Sequence, residues 1–286
     1  MSAHPRLSLN QATIKYAPLA EALRVTAEAG IGAIGLWREP VAEVGLAEAA
    51  RMVTDSGLRV SSLCRGGFFT MAAGAERRAS IDDNRRAIDE TAALAAAGAA
   101  GSAAVLVLVA GGLPAGDRDL VGARQRVADA IGELAPSAAA AGVTLAIEAL
   151  HPIFAADRAV ISTLGEALDI AEQFDAASVG VVVDTYHVWW DPQLLEQVAR
   201  AGNGGRIASY QVCDWITPLP ADSLLGRGMM GDGHIDFGPL TRAVTDAGYT
   251  GDVEVEIFNQ QIWDAAAAEI AALTVRRFGA QVAPHL

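Results

Sequence analysis

Apolar and polar positions change period again and again along this chain. Short runs with strand character stand at 6–10 (RLSLN), 33–37 (AIGLW), 58–64 (LRVSSLC), 103–109 (AAVLVLV), 143–148 (VTLAIE), 179–184 (VGVVVD), 206–212 (RIASYQV) and 252–258 (DVEVEIF). Between them lie Ala/Leu/Glu-rich stretches with helical periodicity, at 18–30, 44–57, 80–98, 119–141, 163–174, 236–248 and 262–279. Gly30, Gly57, Gly142 and Gly248 follow such stretches, where a helix C-terminus favours glycine. No Pro/Ser-rich linker or charge block interrupts the alternation. Eight strands with intervening helices predict an α/β protein, one closed (β/α)8 barrel domain over 1–286. A doubly wound open sheet would use the same alternation, but its dinucleotide fingerprint is missing. The Gly231-x-Gly233 pair follows a loop and precedes Asp236, which reads as a turn before a helix.

Four polar residues close four of the apolar runs: Glu148, Asp184, Gln211 and Glu256. A carboxylate or amide at the end of a buried strand costs desolvation energy unless something compensates it, and a shared divalent metal would do so. In a parallel barrel such residues converge on the C-terminal rim. Strand alternation gives them a common direction: Val143, Leu145 and Ile147 share the face that packs on helices, which turns Thr144, Ala146 and Glu148 inward. Gly180 and Val182 accompany Asp184 in the same way, and Ser209 accompanies Gln211. Glu254 and Glu256 lie on one face, and Glu256 is chosen because it stands nearer the rim. An all-oxygen set of this kind suits Mg²⁺ or Mn²⁺ first, with zinc also compatible.

Composition narrows the partners. With 34 acidic against 21 basic residues, a net charge of -13 argues against nucleic acid. Cys64 and Cys213 both fall in predicted strands, and MSAHPRLSLN lacks the basic start and apolar core of a secretion signal, so a reduced, cytoplasmic protein is expected. The stretch 91–116 carries no charge and is long enough to span a bilayer. Gly98, Gly101 and Pro114 divide it into a helix end, a turn and a strand, so no membrane segment is expected.

The motifs IEALHP around Glu148, VDTYH at 183–187, YQVCD at 210–214, RGMMGDGHIDF at 227–237 and VEIFN at 255–259 are more specific. Together they resemble the xylose-isomerase-like superfamily of sugar isomerases and epimerases over nearly the full length, with keto-sugar epimerases and hydroxypyruvate isomerases as the nearest types. The resemblance implies a TIM barrel, with metal ligands at Glu148, Asp184, Gln211 and Glu256. It also implies substrate contacts from His187 and Arg227. Two positions depart from the pattern. Gln211 stands where epimerases usually have histidine, a feature similar to dehydratase-like and lyase-like members, and Gly35 stands where the second strand often carries glutamate.

The implied function is a divalent-metal-dependent isomerase or epimerase of a small sugar or keto-sugar. It would work through an enediolate, with Glu148 and Glu256 as catalytic acid/base groups. The alternative is a lyase or dehydratase acting on 3-keto-glycosides, inososes or dehydroshikimate-like compounds. A degenerate binding barrel is disfavoured by the complete carboxylate set, and a zinc nuclease by the lack of a histidine-rich cluster and a basic surface. His151, just after Glu148, is a further candidate substrate contact. Cys64 and Arg65 are candidates to face the pocket, and some of Trp37, Phe68, Phe69, Trp189, Trp190, Trp215 and Trp263 are expected to line it. Family members often form dimers or tetramers, so the resemblance also points to a homo-oligomer.

Overall fold

The computed structural model describes residues 3–286. Eight parallel strands close into a barrel: β1 (Leu7–Asn10), β2 (Ala33–Trp37), β3 (Arg59–Gly67), β4 (Val105–Val109), β5 (Thr144–Glu148), β6 (Val179–Asp184), β7 (Ile207–Val212) and β8 (Val253–Val255). Each strand pairs with the next in sequence, and β8 closes on β1 through Leu7 opposite Val253. Above the rim, Asp214–Trp215 and Arg227–Gly228 form a small antiparallel ribbon. The strand runs read from the sequence all appear. Those that differ begin one or two residues later, and two of them also differ at their far ends: β3 continues to Gly67, and the last ladder stops at Val255, so Glu256 sits on chain already leaving the barrel.

The helices pack outside the barrel, and their starts are set by side chains that accept orphan N–H groups. Asp119, Thr163 and Asp236 cap the helices Leu120–Ala141, Leu164–Ala171 and Phe237–Asp246. A helix at Leu194–Asn203, between β6 and β7, lies outside the seven stretches read from periodicity; it buries Leu194, Val198 and Ala201. The uncharged stretch 91–116 divides into the end of the helix Ala75–Ala97 and strand β4. Among the described residues no helix is long and apolar enough to cross a membrane.

Val143, Leu145 and Ile147 join the large core between barrel and helices, so Ala146 and Glu148 do face inward. The barrel interior itself has two characters. Cys64, Val105, Val107, Ala146 and Val182 form a small apolar cluster on the β3–β6 side. Around β1, β3 and β8 the interior is polar, with Ser8, Asn10, Ser61, Ser62 and Glu254 all buried. Two bulges in β3 matter for the site. Its register with β2 skips Ser61, and its register with β4 skips Arg65. An extra residue in a ladder re-aims the side chains around it.

Candidate active site

Glu148 ends β5, Asp184 ends β6 and Glu256 follows β8, and all three carboxylates are buried where the strands converge. One ligand atom from each of Glu148, Asp184 and His187 lies within 4.8 Å of the others. Local sequence fixes this arrangement. Asp184 Oδ1 accepts the Tyr186 N–H at 2.7 Å and so caps the helical turn Thr185–Val188, which carries His187 back toward the carboxylates.

Arg227, from the ribbon, reaches into this group and is 2% exposed. Its Nη1 donates to Glu256 Oε2 at 2.7 Å and to Asp184 Oδ2 at 3.2 Å, and its Nη2 donates to His187 Nε2 at 2.9 Å. Tyr186 and Phe258 face the guanidinium from ring centroids 4.9 and 4.8 Å away. His187 Nδ1 lies 3.2 Å from the His151 N–H as well. A neutral imidazole accepts through only one nitrogen, and we assign that role to Nε2, which meets the charged donor.

Burial dominates the electrostatics. Desolvation, reinforced by the charges of Glu256 and Asp184, pushes the Glu148 carboxyl well above the usual carboxylate range. Asp184 is raised by desolvation, with Arg227 opposing. Glu256 is pushed up to about 7 by desolvation, again against Arg227. Desolvation and the neighbouring Arg227 charge hold His187 well below its ordinary value, so the ring is neutral. One guanidinium does not balance three carboxylates in a dry site.

Beneath this group lies a fourth buried carboxylate. Glu254 Oε1 accepts from Asn10 Nδ2 at 2.6 Å and from Gln211 Nε2 at 3.0 Å, while Oε2 accepts from Ser62 at 2.9 Å and from Ser61. Gly35 makes room for it, since a Cβ there would fall 2.5 Å from the Glu254 carboxyl carbon. Because the Gln211 nitrogen is committed to Glu254, Gln211 Oε1 is left buried without a hydrogen-bond partner, and so is Glu148 Oε1. Buried acceptors seldom go without a donor. Two orphaned oxygens beside uncompensated carboxylates fit a hard cation in chemistry and in sign. A second candidate group, Cys64 with Glu254 and Glu256, fits less well, because Glu254 already has four neutral donors and desolvation raises the Cys64 thiol far from its thiolate.

A cavity of ≈ 190 Å³ opens over these residues. Glu148, His187, Arg227 and Glu256 line it, with Trp37, Phe68 and Phe258 supplying aromatic surface and Arg65 a further cation.

The xylose isomerase-like TIM barrel family model matches residues 23–277. The chain belongs to that family. A crystal structure of a Sinorhizobium meliloti 1021 protein is 47% identical over 97% of this chain and 98% of that one, with a TM-score of 0.90. The IolI protein, solved with a bound zinc atom, shares the fold at a TM-score of 0.81, with 19% identity over 98% of this chain and 99% of that chain. Among curated relatives, a 3-dehydroshikimate dehydratase of Pseudomonas aeruginosa is 29% identical over 54% of this chain and 23% of its own length. An L-ribulose 3-epimerase of Mesorhizobium japonicum is 26% identical over 47% of this chain and 41% of its own length. The chain thus spans less than half the length of either relative. These relatives are enzymes, an epimerase and a dehydratase.

Within this family frame, the residues singled out from sequence divide. Glu148, Glu256, His187 and Arg227 line the cavity; Asp184 and Gln211 do not line it but bond to its neighbours Arg227 and Glu254. The resemblance places Arg227 on substrate oxygens, whereas here its Nη1 and Nη2 bond to protein groups and only its Nε lacks a partner. His151 is outside the lining: its ring packs on Trp215, 4.9 Å between centroids, and its backbone faces His187. Of the named aromatics, Trp37 and Phe68 line the cavity, while Trp215 stacks on Tyr186 and Trp190 bonds to the His187 carbonyl. Sequence reasoning missed Phe258, although it stands two residues after Glu256 on the same alternation. It also missed the floor formed by Asn10, Ser61 and Ser62, which depends on a bulge that leaves no mark in composition.

Proposed function

We propose that the chain is a divalent-metal-dependent isomerase or epimerase of a small sugar or keto-sugar, in which Glu148 and Glu256 carry protons at a carbon next to a carbonyl. The pair of orphaned acceptors, Glu148 Oε1 and Gln211 Oε1, supports this most directly, because both lie in a carboxylate cluster short of positive charge. Glu148, Asp184, Gln211 and Glu256 would hold the ion. Their oxygens favour Mn²⁺ or Mg²⁺, and the zinc of IolI makes zinc the competing choice. Bound there, such an ion would draw charge out of a substrate carbonyl and make the neighbouring C–H more acidic.

The remaining work falls to side chains. Glu256, raised to about 7 by desolvation in the ion-free site and lowered again once an ion binds, would serve as a proton carrier in its ionised form. One glutamate removes a proton to give an enediolate, and the other returns one at the neighbouring carbon or from the opposite face. Arg227 holds Asp184, Glu256 and His187 in place, and its unpaired Nε is suited to a hydroxyl or carbonyl oxygen of the substrate. The aromatic walls exclude water.

Metal-loaded protein incubated in D₂O with a panel of ketoses and 3-keto-sugars should take deuterium into substrate. Activity untouched by a chelator would defeat the reading. A lyase or dehydratase using the same first step is the second reading, favoured by Gln211 and by the dehydratase relative. Products lighter by water in the same incubations would select it.

A further inference from the structure

The arginines around the cavity are not equivalent. Arg227 is bound to Asp184 and Glu256, Arg158 to Asp222 at 3.0 Å, and Arg38, in a neighbouring pocket that Arg65 also lines, to Asp83 at 2.8 Å and Glu90 at 2.6 Å. Arg65 lines the same cavity and has no salt bridge or hydrogen bond among the described residues. In a chain with 34 acidic residues against 21 basic ones, a half-buried guanidinium without a carboxylate is a chemical signal.

Its placement is built into the fold. Arg65 is the extra residue of the bulge between Cys64, opposite Val107, and Gly66, opposite Leu108. The chain just beyond is pinned at both polar groups of one residue: Asn84 Oδ1 accepts the Gly67 N–H at 2.7 Å and Asn84 Nδ2 donates to the Gly67 carbonyl at 2.9 Å. The guanidinium lies over the rings of Trp37 and Phe68, at 5.5 and 5.1 Å from their centroids, and both rings line the cavity. Aromatic faces hold the fork in place without using its N–H donors.

From this we infer that the substrate carries an anionic group, a carboxylate or a phosphate, and that Arg65 binds it. The inference deepens the proposed function, since it names the substrate class for the same cavity: a hydroxy-keto acid or a phosphorylated keto-sugar in place of a neutral ketose. Arg65 is a specificity residue and takes no part in proton transfer.

Three hydroxy-ketones that share one HOCH₂–CO unit test it. Dihydroxyacetone is neutral, hydroxypyruvate adds a carboxylate and dihydroxyacetone phosphate adds a phosphate. Their dissociation constants for the Mg²⁺-loaded full chain are measured by calorimetry, alongside Arg65→Gln and Arg65→Lys. At least one anion should bind wild type about tenfold or more tightly than dihydroxyacetone, as charge-assisted bonds to a guanidinium provide. Arg65→Gln should erase that margin and leave dihydroxyacetone within about twofold, and Arg65→Lys should keep part of it. Which anion carries the margin separates keto acid from sugar phosphate. Absence of a margin in wild type, a margin that survives in Arg65→Gln, or equal weakening of all three probes would overturn the assignment. The readout is binding, so an anion margin without deuterium exchange in any panel compound would count against the proposed reaction and leave the role of Arg65 standing.

Discussion

The floor and the mouth of this barrel each bury carboxylate charge, and they treat it in opposite ways. On the floor, Glu254 receives neutral donors from Asn10, Ser61, Ser62 and Gln211, so both oxygens are satisfied within the protein. At the mouth, one guanidinium bonds to Asp184 and Glu256 but not to Glu148, whose Oε1 has no donor at all. Two glutamates on one strand run, two residues apart, thus meet different fates. A carboxylate that the fold fully solvates is structural. One that the fold leaves short of positive charge is held ready for something from outside. Gln211 joins the two layers, with its nitrogen spent below and its oxygen free.

The comparison breaks most visibly at the mouth. Glu256→Gln keeps an oxygen donor of the same size and removes the basic electron pair. Bound metal should remain while proton transfer falls on the order of 100-fold or more. Glu148→Gln should behave alike in a two-base epimerase, whereas a lyase that uses a single base should tolerate one of the two substitutions. Substrate-proton exchange and product formation, with metal content checked for each variant, separate these outcomes. Full activity in both metal-loaded variants would reject glutamate proton transfer.

On the floor the expected loss is stability first. Glu254→Ala strips the acceptor from four buried donors and should cost about 2 kcal/mol in denaturant unfolding. It should also weaken Mg²⁺ or Mn²⁺ binding, because nothing then fixes which end of the Gln211 amide faces upward. Gly35→Ala approaches the same carboxyl from β2 and should cost about 1 kcal/mol or more by overpacking. If Glu254→Ala unfolds as wild type does and binds metal as tightly, the floor has no role in the site.

How much of this was legible beforehand follows from the range of each interaction. Strand alternation is local, so the inward turn of Glu148 and Asp184 could be read from VTLAIE and VGVVVD, and the structure agrees. The choice of Glu256 over Glu254 rested on its place near the rim, and the two layers bear out that difference in height. For Arg227 the resemblance implies a substrate contact. The burial of Arg227 among carboxylates depends on the ribbon that pairs Trp215 with it, a contact invisible in a loop rich in Gly and Met. His151 looked promising by adjacency, but a residue just past a strand end turns outward as readily as inward, and its ring found Trp215. Gly35 appeared to be a missing glutamate; only the packed barrel shows it as the space that Glu254 fills.

The last expected effect concerns pH, and Glu254, raised by desolvation with its four donors opposing, pushes it in the same direction as the mouth. Glu256 in the folded chain titrates at about 7, above its unfolded value, so between roughly pH 4.3 and 7 the folded state holds a proton that the unfolded state has released. Stability of ion-free protein should therefore be highest below that window and fall as pH rises through it. Glu148, raised by desolvation and by Glu256 itself, adds to the fall, while Arg227 offsets part of it for Glu256. The expected loss from pH 5 to 7.5 is about 2 kcal/mol from Glu256 alone. In Glu148→Gln the slope should shrink and the ion-free variant should match or exceed wild type at pH 7.5, since one repelling charge is gone. Mg²⁺ or Mn²⁺ should flatten the wild-type profile by stabilising the ionised carboxylates, so the metal-induced rise in Tm grows with pH. Thermal unfolding with and without chelator across this range measures it. A wild-type profile whose ion-free stability rises toward pH 7.5 would mean that the protein already compensates the mouth carboxylates, and the contrast with the floor would collapse.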